Sequence, residues 1–240
     1  MVRWLPNWLR RRRIREALEP SLRARLRRLR KETNTGLAQM LRQPLSMARL
    51  VAVDLETTGL SMHRDRVISI GAVAVRARTI RHDDCFECYL RQEQASPVNN
   101  ILFHRIGGQQ QLGGVEPATG VLEYLEFLGN SAAVAFRAEF DRAILGRETA
   151  AVLGVRPRSP IIDLAVLLPA LFPDTGNDTL DDWLRHFNFL SPARHHALGD
   201  AYCHAALLLV VLERATRAGL NTVGDLKDVE RAQRWLGKVR

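Results

Sequence analysis

The chain has 240 residues, of which 46% are hydrophobic and 25% charged, a composition typical of a globular protein with a sizeable core. No apolar run approaches the ~20 residues of a membrane span, and the N-terminus lacks the apolar core of a signal peptide, so we expect a cytoplasmic protein. Three cysteines are too few for a disulfide framework, and Cys85 and Cys88 have no second pair with which to complete a zinc site.

The positive charge is concentrated at the start of the chain. Residues 1–49 hold 14 Lys or Arg against three Glu, a net charge of +11, whereas the remaining 191 residues carry −2. Four leucines of this segment lie at helical spacing and predict an apolar stripe on an arginine-rich helix: Leu18, Leu22, Leu26 and Leu29. We expect Pro20 to divide this helix in two.

Clustered arginines favour an arm that binds nucleic acid or an acidic partner, because they release counterions from phosphates. Three alternatives stay open. The segment could be a solvated helix docked on its own domain, or a transit-like presequence. Together with the leucines, Trp4 and Trp8 could also form a docking face for a protein or a membrane surface.

After Pro44 the pattern alternates between strands and helices. Strands are predicted at 50–56, 66–76 and 79–91, close enough in sequence to form a meander. The following segments predict helix 116–130, strand 131–136, helix 139–154, an apolar run 161–168, helix 178–187, a helix from 196 to about 217, and a last helix after 222. We therefore expect an α/β fold in which helices flank a central sheet of mixed strand direction.

Two acidic residues stand at the end of the first strand, in "LVAVDLETTGL" (50–60). Because side chains alternate along a strand, Asp54 and Glu56 face the same side, where their charges repel each other unless a cation lies between them. Alone, such a pair more often lies on the solvent-exposed face of a strand than in a metal site. Here the strand is otherwise apolar and a turn, Thr57 to Gly59, follows at once, so we expect further carboxylates elsewhere to complete a metal site.

Three segments share the order and the separations of the motifs of a known family: "DLETTGL" (54–60), "AFRAEFD" (135–141) and "HHALGDA" (195–201). They resemble the DEDDh 3′-to-5′ exonucleases, the DnaQ-like family of proofreading epsilon subunits, ribonuclease T and oligoribonuclease. The resemblance extends from about residue 49 to 213 and implies a ribonuclease H-like fold. It divides the chain into a basic helical extension (1–48), an exonuclease domain (49–217) and a C-terminal helical tail (218–240).

The resemblance implies four metal ligands: Asp54, Glu56, Asp141 and Asp200. In this family they hold two divalent ions, Mg²⁺ or Mn²⁺, about 3.5–4 Å apart, with Asp54 as the expected bridge. His195 precedes Asp200 by five residues, the family's spacing for the general base that takes a proton from the attacking water. His196 is the alternative base. Without the other motifs, Asp141 and Asp200 would be interpreted as ordinary acids on helix surfaces.

Further matches imply contacts to the 3′ end of the substrate from the turn after the first strand: Thr57, Thr58, Gly59 and Leu60. His104, in "LFHRI" (102–106), resembles a nucleotide-covering residue, although a surface helix histidine fits as well. The second motif departs from the family in having Phe136 and Arg137 where His and Asn are usual, and we expect Arg137 to bind a substrate phosphate. The other histidines fit no pattern and are expected in the surface or core: His63, His82, His186 and His204.

These residues predict a metal-dependent 3′-to-5′ exonuclease acting on single-stranded or frayed DNA ends. The family also performs this chemistry on RNA and short oligonucleotides, and no motif here separates the two. A catalytically weak binding module that uses the basic arm is a third alternative, but the complete set of four acids with His195 argues against it. Proofreading would require a partner DNA polymerase, since the sequence contains no polymerase domain.

Overall fold

The computed structural model describes residues 6–33, 36–157, 159–173, 175–191 and 194–239, so Trp4 lies outside the described residues. The elements in chain order are α1 (Asn7–Ala17), α2 (Pro20–Glu32), α3 (Leu37–Leu41), β1 (Arg49–Thr57), β2 (Val67–Arg76), β3 (Thr79–Tyr89), α4 (Val98–His104), α5 (Gly108–Leu112), α6 (Pro117–Leu128), β4 (Ala132–Ala135), α7 (Glu139–Val152), β5 (Ile161–Asp163), α8 (Leu164–Leu171), α9 (Leu180–His186), α10 (Ala197–Arg217) and α11 (Val223–Val239). No helix among these residues has the length and apolar character needed to cross a membrane.

The sheet has the strand order β3-β2-β1-β4-β5. β1, β2 and β3 form the predicted antiparallel meander, whereas β4 and β5 run parallel to β1. Val51, Ala52 and Val53 in the central strand β1 are all buried, because helices cover both of its faces. The mixed sheet flanked by helices that the sequence predicted is confirmed.

The two faces of the sheet bury separate apolar clusters. Leu50 and Ala52 pack on one side with α8, α9, α10 and α11, around Trp183. Val51 and Val53 pack on the other side with α2, α6 and α7. By the alternation along β1, Asp54 lies on the α10 side.

Both flanking segments contribute to these clusters. α2 begins at Pro20, as predicted, and buries Leu26 and Leu29 against the α6 side of the sheet. In α11, Val223 and Leu226 are fully buried on the opposite side. Each buried leucine contributes roughly 1.5–3 kcal/mol of stabilisation. Of the alternatives for the basic arm, docking of α2 on its own domain is therefore what the structure shows.

Candidate active site

The first three acids meet where α10 crosses the sheet. Gly71 of β2 lies opposite Asp54 in the β1–β2 register. A Cβ atom on Gly71 would lie 2.1 Å from the backbone nitrogen of Leu198, so only glycine admits the start of α10 at this point. This crossing places Asp200 beside the end of β1. One carboxylate oxygen from each of Asp54, Glu56 and Asp200 lies within 4.8 Å of the others.

The fourth acid lies in α7, the helix that follows the neighbouring parallel strand β4. Val134 of β4 pairs with Ala52 of β1, so both strands end at the same edge of the sheet. The chain then turns at Arg137, which has a φ of 57°, and enters α7. Asp141 lies in the first turn of α7 and is buried. Its negative charge raises the pKa of Asp54, so Asp141 lies near the other three acids, although it is not part of the group whose oxygens lie within 4.8 Å of one another.

The electrostatics of this cluster fit a cation site. Burial, followed by the charges of Asp141, Asp200 and Glu56, raises the pKa of Asp54 well above its usual range. Burial first, with Asp200 next, raises the pKa of Glu56 to about 7, and burial raises that of Asp141 to about 7. Buried carboxylates that oppose one another's ionisation are stabilised by a bound cation, and hard oxygen donors suit Mg²⁺ or Mn²⁺.

Arg194 is a site residue that the sequence analysis missed. Its Nη1 contacts Asp200 Oδ1, and its Nε donates to Asp181 Oδ1 at 2.7 Å. The guanidinium thereby ties the loop before α10 to α9 as well as to the acidic cluster. An arginine in a loop carries no periodic signal, so only the fold reveals this position.

His195 lies in the loop before α10, as expected, with a φ of 61° and a half-buried side chain. Its backbone nitrogen donates to Asp200 Oδ2 at 3.1 Å. Its ring packs against Phe103, with centroids 4.0 Å apart. His196 instead caps α10 and places Nε2 3.1 Å from the hydroxyl of Tyr89 on β3. The two adjacent histidines therefore face different surroundings.

His204 lies one helical turn beyond Asp200 and was predicted only as a surface or core residue. It is buried, and its Nδ1 lies 2.9 Å from the carbonyl oxygen of Val53. Because a carbonyl oxygen only accepts hydrogen bonds, Nδ1 carries the proton. Nε2 lies 3.9 Å from Asp54 Oδ1, and burial lowers the pKa of His204 to about 4. A neutral imidazole thus supports the end of β1 next to the acids.

The turn after β1 is closed by an acid that the motif does not include. Thr58 Oγ1 donates to Asp65 Oδ1 at 2.9 Å, and the backbone nitrogen of Ser61 donates to Asp65 Oδ2 at 2.7 Å. A Cβ atom on Gly59 would lie 2.7 Å from Asp65 Oδ2, which explains the glycine. Within this turn Thr57 Oγ1 donates to the Gly59 carbonyl at 2.7 Å. Leu60 is 89% exposed beside the site.

The structure corrects the expected position of His104. Its ring is buried, with Nε2 2.7 Å from Asn100 Oδ1 and Nδ1 accepting from the Ile106 backbone nitrogen at 2.9 Å. Asn100 in turn donates to the Thr57 carbonyl at 3.1 Å. His104 therefore fixes α4 to the turn after β1 and presents no free ring nitrogen to a nucleotide. Phe103, its neighbour, is 57% exposed, and its ring packs against that of His195.

The two unusual residues of the second motif have opposite surroundings. Phe136 packs against the apolar cluster on the α10 side of the sheet. Arg137 is exposed, and its Nη2 lies 3.5 Å from the Asp178 carbonyl oxygen. This contact is at the limit of hydrogen-bond length, so the guanidinium is available at the rim of the site, four residues before Asp141.

Solved structures resemble the chain over most of its length. Exonuclease X in complex with 5′ overhanging duplex DNA superposes with a TM-score of 0.60 and 21% identity, over 75% of this chain and 99% of that one. E. coli Exonuclease I in complex with a dT13 oligonucleotide superposes with a TM-score of 0.61 and 15% identity, over 72% of this chain and 42% of that one. Both comparisons establish a shared fold.

Sequence relatives are replication proteins by name. The DNA polymerase III subunit epsilon of Aquifex aeolicus is 26% identical over 197 residues, covering 80% of this chain and 95% of the relative. The DNA polymerase III PolC-type of Caldanaerobacter subterraneus is 28% identical over 181 residues, or 75% of this chain. The chain spans only 13% of the length of that relative and 12% of its Bacillus subtilis counterpart.

The family profile described as an exonuclease, RNase_T, matches residues 51–208. This match includes the four acids and both candidate histidines. It covers more than half of the chain and confirms the resemblance drawn from the three motifs. The chain belongs to the RNase_T exonuclease family.

Proposed function

We propose that the protein hydrolyses DNA from the 3′ end and releases mononucleotides. The observation that carries the proposal is the grouping of Asp54, Glu56 and Asp200, whose carboxylate oxygens lie within 4.8 Å of one another. Asp141, from a third element, lies close enough for its charge to raise the pKa of Asp54. DNA is proposed as the substrate because the similar structures hold DNA and the sequence relatives are named as DNA polymerase components.

The four acids would hold the divalent ions. Such ions supply an activated water and stabilise the leaving oxygen in phosphodiester hydrolysis. The chain itself contributes the fixed geometry. Glu56 and Asp54 are held by strand β1, and Asp200 is held by the close approach of α10 to Gly71.

His195 is proposed as the general base. Two contacts support this proposal: the backbone nitrogen of His195 donates to Asp200, and its half-buried ring packs against Phe103. From this position it would accept a proton from the attacking water, a role that contributes typically 10²–10⁴-fold to the rate. His196 is a poorer candidate because its Nε2 already contacts the Tyr89 hydroxyl and the Glu87 carboxylate.

The names of the relatives support a polymerase partner. The Aquifex aeolicus relative is named a DNA polymerase subunit, and the PolC-type relatives contain the matching region within a much longer chain. We therefore propose that the protein works together with a DNA polymerase.

The test uses single-stranded DNA and RNA of one sequence, labelled at either the 3′ or the 5′ end, with Mg²⁺, Mn²⁺ or EDTA. We expect metal-dependent release of labelled mononucleotides from 3′-labelled DNA, and a descending ladder from 5′-labelled DNA. Asp54→Asn should abolish both products, whereas Asp228→Asn, which changes an exposed acid of α11, should not. Preference for RNA would reassign the substrate, and no cleavage with any ion would contradict the proposal.

A further inference from the structure

A cavity of about 600 Å³ between α1 and α7 is lined by five arginines, which define the arginine groove: Arg10, Arg11, Arg142, Arg147 and Arg156. None of the described residues that line it is acidic. The volume is within the usual range of ligand sites. Because like charges repel across such a cavity, the surroundings favour an anionic occupant.

Among the described residues, the arginines of the groove form no ion pair. Elsewhere in the arm Arg12 pairs with Glu16 and Arg25 with Glu126, but the described part of the chain shows no ion pair for a groove arginine. One atom is informative: Nη2 of Arg147 is buried and has no hydrogen-bond partner among the described residues. A buried donor without a partner is destabilising, and a bound phosphate oxygen would offset this by accepting its hydrogen bond.

The positive surface continues beyond the groove. A neighbouring cavity of about 840 Å³ between α2 and α6 is lined by Arg27, Arg30, Lys31 and again Arg156, without an acidic side chain among its described residues. A smaller cavity of about 340 Å³ joins Arg156 to Trp8, whose side chain is 64% exposed. This succession favours an extended polyanion over a single small phosphate, and an exposed indole offers a base a surface for stacking.

Helix α1 approaches the domain closely at Gly154. It has no buried residue, so apolar packing contributes little to its placement. Instead, Arg15 Nη1 donates to the Gly154 carbonyl at 2.6 Å. A Cβ atom on Gly154, whose φ is 63°, would lie 2.3 Å from the carbonyl oxygen of Arg11. The position of the arginines of α1 therefore depends on Gly154.

Helix α7 carries residues of both the groove and the acidic cluster. Asp141 lies in its first turn, and Arg142, Gly146 and Ala150, at four-residue spacing on one side of the helix, line the groove. The distance along α7 from Arg142 to Ala150 is about 12 Å at 1.5 Å per residue. A strand whose 3′ end occupies the site could therefore continue along this helix.

We infer that the arginine groove binds the phosphate backbone of the substrate strand on the 5′ side of the cleaved nucleotide. This inference rests on the proposed function for the identity of the strand. The basic arm would then help to bind long substrates, whereas the terminal nucleotide would be bound at the acidic cluster alone.

The test measures binding in EDTA, with Asp54→Asn as the background, to fluorescent oligothymidylates of about 4 and about 20 nucleotides. Arg10→Ala with Arg156→Ala should lower affinity for the long strand about 10-fold and reduce the salt slope by about 1.4, or 0.7 per lost contact. Binding of the short strand should not change. In the active chain, hydrolysis of the short strand should also persist.

Two controls separate the groove from general charge and from backbone strain. Arg76→Ala with Arg217→Ala removes two exposed arginines elsewhere and should leave long-strand affinity within about twofold. Gly154→Ala should weaken long-strand binding by displacing α1, whereas Gly219→Ala, at a φ of 79° in open space, should not.

Equal losses in the groove and control pairs would overturn the inference, as would an equal loss for the short strand. Unchanged DNA binding, with groove-dependent binding to phosphatidylserine vesicles, would assign the surface to a membrane and also overturn it. Because binding is measured without catalysis, a failed nuclease assay leaves this result interpretable. A negative groove result likewise leaves the nuclease proposal intact.

Discussion

Arg137 stands at the rim of the site, where the family resemblance leads one to expect an uncharged amide. Its exposed guanidinium has only a 3.5 Å contact to a carbonyl oxygen, so we expect it to bind a substrate phosphate. Such a contact is present in both the bound substrate and the transition state. Arg137→Ala should therefore raise KM about 10-fold and change kcat much less, as expected for the loss of a charge-assisted hydrogen bond.

Steady-state kinetics on a DNA oligonucleotide measure this effect. Arg78→Ala is the matched control, because Arg78 is also an exposed arginine with a φ of 57° but lies in the β2–β3 turn. An unchanged KM for Arg137→Ala would show that the guanidinium does not contact the substrate.

The acids of the site could be predicted from the sequence, whereas their supporting residues could not. Asp54 and Glu56 stand out because strand alternation places them together on an otherwise apolar strand. Arg194 and His204 became visible only in the fold, since their roles depend on which elements meet. His104 was predicted to contact the substrate or, alternatively, to lie on a helix surface. The surface alternative is wrong because the ring is buried, and hydrogen bonds to Asn100 and Ile106 engage both ring nitrogens, which disfavours the substrate contact.

At the scale of elements, the crossing of α10 over β2 controls the site. Gly71→Ala would place a methyl group 2.1 Å from a backbone atom, which no side-chain rotation can relieve. The start of α10 must then move and take Asp200 with it. We expect kcat to fall about 100-fold, because a displacement of about 1 Å suffices for such a loss, and stability to fall by about 1–3 kcal/mol.

Cleavage kinetics together with urea unfolding measure both effects. Gly237→Ala, in a helix and with open space around the added Cβ, should change neither activity nor stability by a comparable amount. Full activity of Gly71→Ala would mean that the contact with α10 does not position the acids.

The long elements could be predicted from periodicity, and the short ones could not. The first three strands and the helix from 196 to about 217 agree with the structure within two residues at each end. The apolar run 161–168 divides into β5 and α8 at Asp163, whose side chain caps the helix by accepting from Ala165 N at 3.0 Å. Helices α4 and α5, of seven and five residues, are too short for a periodic pattern.

At the scale of the whole molecule, the acidic cluster makes stability depend on pH when cations are absent. Folding raises the pKa of Glu56 from 4.5 to about 7, so the folded state binds a proton that the unfolded state has lost in this interval. The stabilisation is therefore complete below about pH 4.5 and is lost as the pH rises to about 7. Asp141 acts in the same direction.

In EDTA we expect the free energy of unfolding to fall between pH 5 and pH 7, by on the order of 1 kcal/mol per pH unit for each such group. Urea unfolding of Glu56→Gln should show a smaller decrease than the parent chain. Glu139→Gln, which alters an exposed acid of α7, should follow the parent. Identical pH dependence in all three proteins would contradict the proposed coupling.

The positive charge of the chain is concentrated in its N-terminal segment. Residues 1–49 carry a net charge of +11, and the apolar stripe of α2 packs this helix onto the domain. An amphipathic helix pattern indicates which side is covered but not what covers it. For this reason the sequence left the docked helix and the alternative partners open.

We propose that the four carboxylates form a divalent-cation centre. A calorimetric titration of the chain with Mn²⁺ in the absence of nucleic acid tests this proposal. We expect saturable binding of about two ions per chain, abolished or halved in Asp54→Asn and unchanged in Asp228→Asn. Binding that survives Asp54→Asn undiminished, or no binding by the parent chain, would contradict it.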